Sequence, residues 1–497
     1  MNIKKLYQLA GLALLILALA SCSKAPKHVK LIPDNAMMVV KIDAKKVIDA
    51  SGAANNDKLK KFIEKNLKDS EMSSEAKKLA QEIVDNPMNA GIDLMQPLFI
   101  FVDNSGKDAP VLVGAVDNKN KLTEMLNTLA KESGAEKVSE KEKLNVFVNN
   151  NVAVFFDADM LYITAIEAGA DVNKMAKAVQ AKFEADEKNS MAANEDMNKL
   201  FEKQGMMQML VSGAALENLP QTSNTKNTLP QGLELKDASY IVDLDMKKGT
   251  GTLSYEILAK SDKWKQIIDK GDKLAQPIKG RFADYVEKDG IALFANMNGQ
   301  ETLNFFKEMG ADKEMDKNSK EMFEKVIGSL DGDMVLSLTG FNVERKMPEL
   351  FAYITTKDAS LVDLVAQITG GAKKQGDNKY ELELGDNFYL NFGMKENATY
   401  FCLGNAESAF AKAKAPFKKE DIKGAGSYFY ANAAFLNKFA SQMNGPQAES
   451  ALELIKQLDY AEVTYAGKGK AAMNVYTKDK DHTLLELLID FGLKMAE

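Results

Sequence analysis

Two histidines, two cysteines, one tryptophan and two arginines are what this chain of 497 residues offers to the side-chain chemistry of most active sites. A serine-type nucleophile needs a histidine held by a carboxylate. His28 lies in SKAPKHVK, close to the start of the chain. His482, in KDKDHTLLELL, stands at the entry to a predicted last helix beside Asp481. Adjacent residues orient each other poorly, so His482 reads as a polar helix-start residue. No residues have zinc-ligand spacing. The segment DGD at 331–333 lacks the rest of a calcium loop and reads as a turn before a strand. GKGKAA at 467–472 matches the loose dinucleotide fingerprint G-x-G-x-x-A. That motif needs a strand before it and a helix after it. A strand-like run, AAMNVYT, follows instead, so a hairpin turn with positive φ is expected there. Cys402, in the strand-like TYFCLG, reads as a small buried hydrophobe. Trp264, in KWKQII, fits the packed face of an amphipathic helix. Carboxylates are plentiful, but no spacing marks a pair facing across a cleft. No catalytic, metal-binding or cofactor-binding residue is assigned, and no cofactor is expected.

One cysteine does carry a chemical reading. Lys4 and Lys5 precede the continuous apolar run LAGLALLILALA, residues 9–20. The run is short of the roughly 20 residues of a membrane span and suits the core of a secretory signal. Leu19-Ala20-Ser21-Cys22 follows it, and LASC resembles the lipobox of bacterial lipoproteins. That resemblance implies cleavage before Cys22, diacylation of its thiol and acylation of the new amine. Residues 1–21 are then a signal peptide and 22–33 an acylated cysteine with its tether. Each buried CH2 of an acyl chain contributes about 0.8 kcal/mol, so two or three chains anchor firmly. Lys24, Lys27 and Lys30 have two readings: contacts to anionic headgroups at about 1 kcal/mol each, or a solvated tether.

Loss of residues 1–21 removes two lysines and takes the net charge from −7 to −9. An acidic body argues against nucleic acid as a partner. The only arginines are Arg281 and Arg345, which argues against a dedicated bidentate site for phosphate or carboxylate. A chain of this length predicts two to four domains.

The elements that position these residues repeat. A shift of 238 residues superposes Asp93 on Asp331, Leu98 on Leu336, Ile100 on Leu338, Leu112 on Leu350, Val154 on Phe392 and Tyr162 on Tyr400. With a slip of one residue, Leu122, Met125, Leu126 and Leu129 meet Leu361, Leu364, Val365 and Ile368, one apolar face at helical spacing. The flanking segments alternate with period two and read as strands. Near the ends, a shift of 218 brings Gly249-Thr250-Gly251 onto Gly467-Lys468-Gly469, each followed by a predicted helix. The expected fold is α+β, two tandem copies of a unit built from an antiparallel sheet and helices, at 34–276 and 277–497. A polar loop at 217–235 interrupts the first copy. The methionine-rich GMMQMLV at 205–211 is expected to put half of its side chains in the core.

The segments LIPDNAMMVVKID and NPMNAGIDLMQPLFIFVD, with the phrase NP-x-x-x-GID ahead of a β-run, resemble an uncharacterised Bacteroidetes lipoprotein family known as domain of unknown function 4836. The family has no established activity, so the resemblance implies an envelope location and assigns no site. In such lipoproteins an acidic cluster after the cysteine resembles a surface-display signal. This tether has none, which implies an outer-membrane anchor facing the periplasm. The leading expectation is a non-enzymatic binding or structural module with an envelope protein as partner and the membrane held through Cys22. The alternatives are a carrier of a lipid or other apolar ligand and, behind it, a carboxylate-dependent hydrolase. An exposed apolar groove, a closed apolar cavity or a pair of facing acids with raised pKa would separate the three. The sequence does not give the oligomeric state.

Overall fold

A computed structural model describes residues 25–496, apart from 54–55, 104–108, 168, 218–232, 309, 311–314, 343–346, 386–387, 405–418 and 441–445. Cys22, the segment 1–21 read as a signal peptide, Arg345 and most of the loop expected at 217–235 lie outside the described residues. The protein is α+β, and its backbone divides into two compact units, one up to Ala215 and one of Leu216–Met495.

The first unit holds strands β1 (Met38–Ile42), β2 (Leu98–Val102), β3 (Val111–Ala115), β4 (Ser139–Lys141), β5 (Leu144–Asn149), β6 (Val152–Phe156), β7 (Met160–Ala165) and β8 (Met207–Ser212). Their pairings give one antiparallel sheet in the order β4-β5-β6-β7-β3-β2-β1-β8. Helix Lys119–Ser133 starts because the Asn118 side chain accepts the free N–H groups of Asn120 and Lys121, and it stops at Gly134 in the left-handed region. Its apolar stripe, Leu122 and Leu126, packs with Phe147, Val154 and Leu161 on one face of the sheet. On the other face Val39, Phe99, Phe101, Val113 and Phe155 are fully or almost fully buried.

The chain enters this core earlier than the sequence implies. The tether is expected to run to residue 33, but Val29, Leu31 and Ile32 are buried within or beside the short helix Lys27–Leu31. His28 is buried too, its Nε2 2.8 Å from the carbonyl oxygen of Pro97. Lys27 pairs with Asp159 at 2.5 Å. Four apolar or aromatic groups bury more area there than a solvated tether would, and this decides the local structure.

The second unit holds β9 (Ala238–Lys247), β10 (Thr250–Ala259), β11 (Ile291–Asn298), β12 (Leu330–Asn342), β13 (Met347–Thr356), β14 (Lys373–Gly376), β15 (Lys379–Glu383), β16 (Tyr389–Lys395), β17 (Ala398–Leu403), β18 (Ser427–Asn432), β19 (Leu458–Gly467) and β20 (Lys470–Thr477). The order is β14-β15-β16-β17-β13-β12-β11-β18-β19-β20-β10-β9, again all antiparallel. The part from β14 to β18 follows the pairing order of the first unit. The rest is two hairpins joined edge to edge.

That join places the boundary differently from the repeat. The sequence puts residues 238–276 in the first half, but β10 pairs with β20 from Thr250↔Tyr476 to Glu256↔Lys470, so the hairpin folds with the second unit. An unpaired edge would leave a row of N–H and C=O groups open, and β20 closes it. The turns at Lys248-Gly249 and Lys468-Gly469 lie 220 residues apart, against the 218 of the glycine match. A one-residue register shift between Tyr465 and Gly467 lies just before the second turn.

Candidate functional site: an apolar groove

Directly opposed residues in an antiparallel sheet point to the same face. In the second unit Leu336 faces Leu293, Leu293 faces Phe429, Phe429 faces Val463, Val463 faces Met473 and Met473 faces Leu253. The row crosses six strands without a polar side chain. Phe429 is half-buried, and the other five are between 37% and 48% exposed. Single exposed leucines are ordinary; a continuous row of them is not.

Helices stand at both ends of the strands and leave the middle open. On one side, helix Asp262–Leu274 lies against the sheet: Tyr465 donates its hydroxyl to Asp272 Oδ1 at 2.8 Å, and Trp264 meets Tyr240 edge-on. Helix Gly299–Glu308 continues this wall, tied to the first by the Lys270–Glu308 ion pair. On the other side, Leu484 fills the space over Gly251, where a Cβ would lie 2.6 Å from its Cδ2. Leu484 opens helix Leu484–Ala496, which starts on a reciprocal cap: the Thr483 N–H reaches Glu486 Oε2 at 2.6 Å and the Glu486 N–H reaches Thr483 Oγ1 at 3.1 Å. Lys494 joins this helix to Glu453 of helix Pro446–Gln457. The result is a groove with a sheet floor and helical walls.

The reverse face of the same strands is closed. Ala292, Phe294, Val335, Phe351, Tyr428 and Tyr430 form a buried core there with Ile278, Phe282 and Val286. Glu462 lies on this face, and its bonds are occupied: it accepts the hydroxyls of Tyr428 and Tyr476, each at 2.8 Å, and the Asn474 amide at 2.9 Å. Burial and the nearby Glu462 carboxylate push the Tyr428 phenol far above its ordinary value.

The residues weighed for catalysis fall into structural places. His482 Nδ1 is 2.7 Å from Asp479 Oδ2, three residues back, at the exposed entry to the last helix. Gly467, Lys468 and Gly469 all have positive φ at a hairpin turn between β19 and β20. Cys402 is buried, and burial pushes its thiol up to about 11. The DGD segment differs from the expected turn. It is a bulge inside β12, and buried Asp333 accepts the backbone N–H groups of Lys279 (2.9 Å) and Arg281 (2.7 Å), pinning the segment that covers the core. The Arg281 guanidinium bonds the carbonyls of Glu396 and Asn397 and the hydroxyl of Thr355. In GMMQMLV, Gln208 and Leu210 face the core while Met207 and Met209 are half-buried on the other side.

Some exposed carboxylates have displaced pKa values, among them Glu184 beside Gln180 and Lys143, Glu453 beside Lys494, and Asp479 bonded to the backbone and His482. All three are held below the usual range. A general acid needs the opposite shift. Among the described residues no group of three or more His, Cys, Asp or Glu could hold a metal ion, and no helix is long and apolar enough to cross a membrane.

The phrase NP-x-x-x-GID is also structural. Gly91 has φ +77°, and a Cβ on it would lie 2.5 Å from both the Asn118 carbonyl oxygen and the Leu122 nitrogen. Its own carbonyl accepts the N–H groups of Asp117 and Asn118. Asp93 ties the next turn through Met95 N–H and Gln96 Nε2. The motif thus docks the start of helix Lys119–Ser133. Domain of unknown function (DUF4836) matches residues 28–485. The chain belongs to this family. The family's span begins at His28, where the described chain enters its core. No curated protein matches the chain. Among solved structures, crystal form IV of TP0453 is 10% identical with a TM-score of 0.27, covering 46% of this chain and 80% of its own. Crystal form I of TP0453 is 10% identical with a TM-score of 0.21, covering 78% and 96%. The DNA polymerase III subunit beta from Pseudomonas aeruginosa is 10% identical with a TM-score of 0.07, covering 67% and 92%. Likenesses this low transfer nothing to the family member described here.

Sequence reading missed the groove floor. The signal was present in β11, IALFANMN, where Leu293 follows Ala292 and precedes Phe294, so both faces of the strand are apolar. Such a strand needs cover on both sides, and cover is open on one.

Proposed function

We propose that this DUF4836 chain is a lipid-anchored envelope lipoprotein, tethered through Cys22 to the outer membrane and facing the periplasm, and that it is a binding module rather than an enzyme. The observation that carries the binding role is the open apolar row from Leu336 to Leu253. The LASC sequence supports the anchor. We also read the two units as copies of one ancestral unit. Ile100↔Leu112 and Leu338↔Leu350 are the same cross-strand pair 238 residues apart, and so are Val154↔Ile163 and Phe392↔Phe401. These registers agree with the repeat.

A photo-cross-linking residue at Leu293 in intact cells tests the binding role. A defined product from Leu293, reduced when Cys22→Ala removes the anchor, is the expected result. No product from Leu293, or the same products from a control position at Leu129 of the first unit, would overturn it.

A further inference from the structure

We infer that the groove of the second unit takes one extended acyl chain of a membrane phospholipid, laid across the strands from β12 to β10. This inference rests on the binding role proposed above and names the ligand class. Its first support is the shape of the floor. Six strands at about 4.8 Å spacing make a row about 24 Å long. The same-face neighbours two residues away are half-buried or buried on every strand but β10, where Tyr255 is also exposed, so over most of its length the open strip is one side chain, about 7 Å, wide. A strip of about 170 Å2 is several-fold smaller than the roughly 800 Å2 each partner contributes to a stable protein interface. It has the outline of a chain, not of a globular partner.

The second support is chemical. The floor is a sheet face, so the strand N–H and C=O groups are bonded within the sheet and point away from the groove. An extended peptide laid there would leave its own backbone groups unpaired against Leu, Val, Met and Phe, at a cost of a few kcal/mol for each group. A hydrocarbon has no such groups. It gains about 0.8 kcal/mol for each CH2 taken from water. Met473 at the strip's centre line is the flexible, polarisable side chain suited to an irregular acyl chain. Because the groove is open along its top, a phospholipid headgroup stays in water while one chain enters.

The sole tryptophan reports on this site. Trp264 packs on Tyr240, which stacks on Tyr255, two residues along β10 from Leu253. The test uses the whole chain carrying Cys22→Ser, purified without acyl chains, and vesicles of phosphatidylcholine dibrominated in one acyl chain. The vesicles are removed by flotation, and the tryptophan fluorescence of the remaining protein is read. Free dibrominated fatty acid forms a second arm. Quenching by the phospholipid that survives flotation is expected. The double variant Leu293→Gln, Leu336→Gln alters two exposed side chains and is expected to retain its fold by circular dichroism while weakening lipid retention about tenfold or more. Quenching unchanged in a folded double variant would overturn the inference, as would quenching by the free fatty acid alone. No quenching by the phospholipid, together with a protein captured from Leu293 in cells, would sink the inference and leave the binding role standing. Failure of both experiments would remove both.

Discussion

Each unit carries a row of opposed apolar residues on the helix-bearing face of its sheet, but only one row is open. In the first unit Met209, Val40, Ile100, Leu112 and Ile163 face one another across β8, β1, β2, β3 and β7, and all are half-buried. Helix Lys119–Ser133 covers Leu112 and Ile163. In the second unit, strands β19, β20, β10 and β9 widen the sheet beyond what helices at the strand ends can roof. The residue types in the two rows are alike. The difference lies in sheet width and the placing of helices, so a packing surface in one unit is a groove in the other.

The contrast is broken or sharpened first by substitutions on the two faces of β11. Phe294 is buried in the closed face and Leu293 lies in the groove. Phe294→Ala should cost about 3–5 kcal/mol. Leu293→Ala should cost about 1 kcal/mol or less, because water already reaches it. Urea unfolding of the two variants measures both, and equal losses would mean that the groove is filled by packing. Next in size is Gly91→Ala in the first unit. The left-handed backbone and the two contacts at 2.5 Å leave no room for a Cβ. A loss of about 3 kcal/mol is expected from these two effects. Calorimetry should show it in a transition of the first unit only, and a loss spread over both units would refute the separate-unit reading. Smaller again is Tyr428→Phe, which removes one hydroxyl from Glu462. About 1.5–2 kcal/mol is expected, the lower part of the range for a hydrogen bond to a charged group, because Tyr476 and Asn474 still hold Glu462. An unchanged midpoint would show that water replaces the hydroxyl.

Much of this architecture was legible because period-two and period-3.6 patterns depend on local spacing. The helix carrying Leu122 and Leu126, the hairpin turn at Gly467–Gly469 and the packed Trp264 all follow from neighbours within a few residues. What was not legible depends on pairs far apart in the chain. Met473 and Leu253 meet only because two hairpins join at their edges, and neither strand says which edge it will find. The burial of His28 depends on Pro97 and Phe99, about seventy residues on, so a lysine-rich stretch read as tether forms part of the core. The role of Gly91 was also out of reach, since its contacts come from Asn118 and Leu122.

The two histidines give the finest test, because burial lowers one and a carboxylate raises the other. His28, in the first unit, is held below its ordinary value by burial, against the opposing hydrogen bond to Pro97. Its unfolded form therefore takes up a proton first as pH falls below about 6.5. Stability of the first unit should be complete above that pH and decline below it, no more steeply than about 1.4 kcal/mol per pH unit, the limit for one proton. His482, in the second unit, is raised by its hydrogen bond to Asp479. Its contribution is present below about pH 6.5 and is lost as pH rises through the raised value. Because His482 is exposed, that contribution is small and screened by salt. Calorimetric scans from pH 5 to 8 should show the first unit losing stability toward acid while the second unit gains slightly. His28→Gln should flatten the first trend and His482→Ala the second. A first unit whose midpoint ignores pH would mean that His28 reaches water before it titrates, and the entry segment Lys27–Leu31 would then be the tether after all.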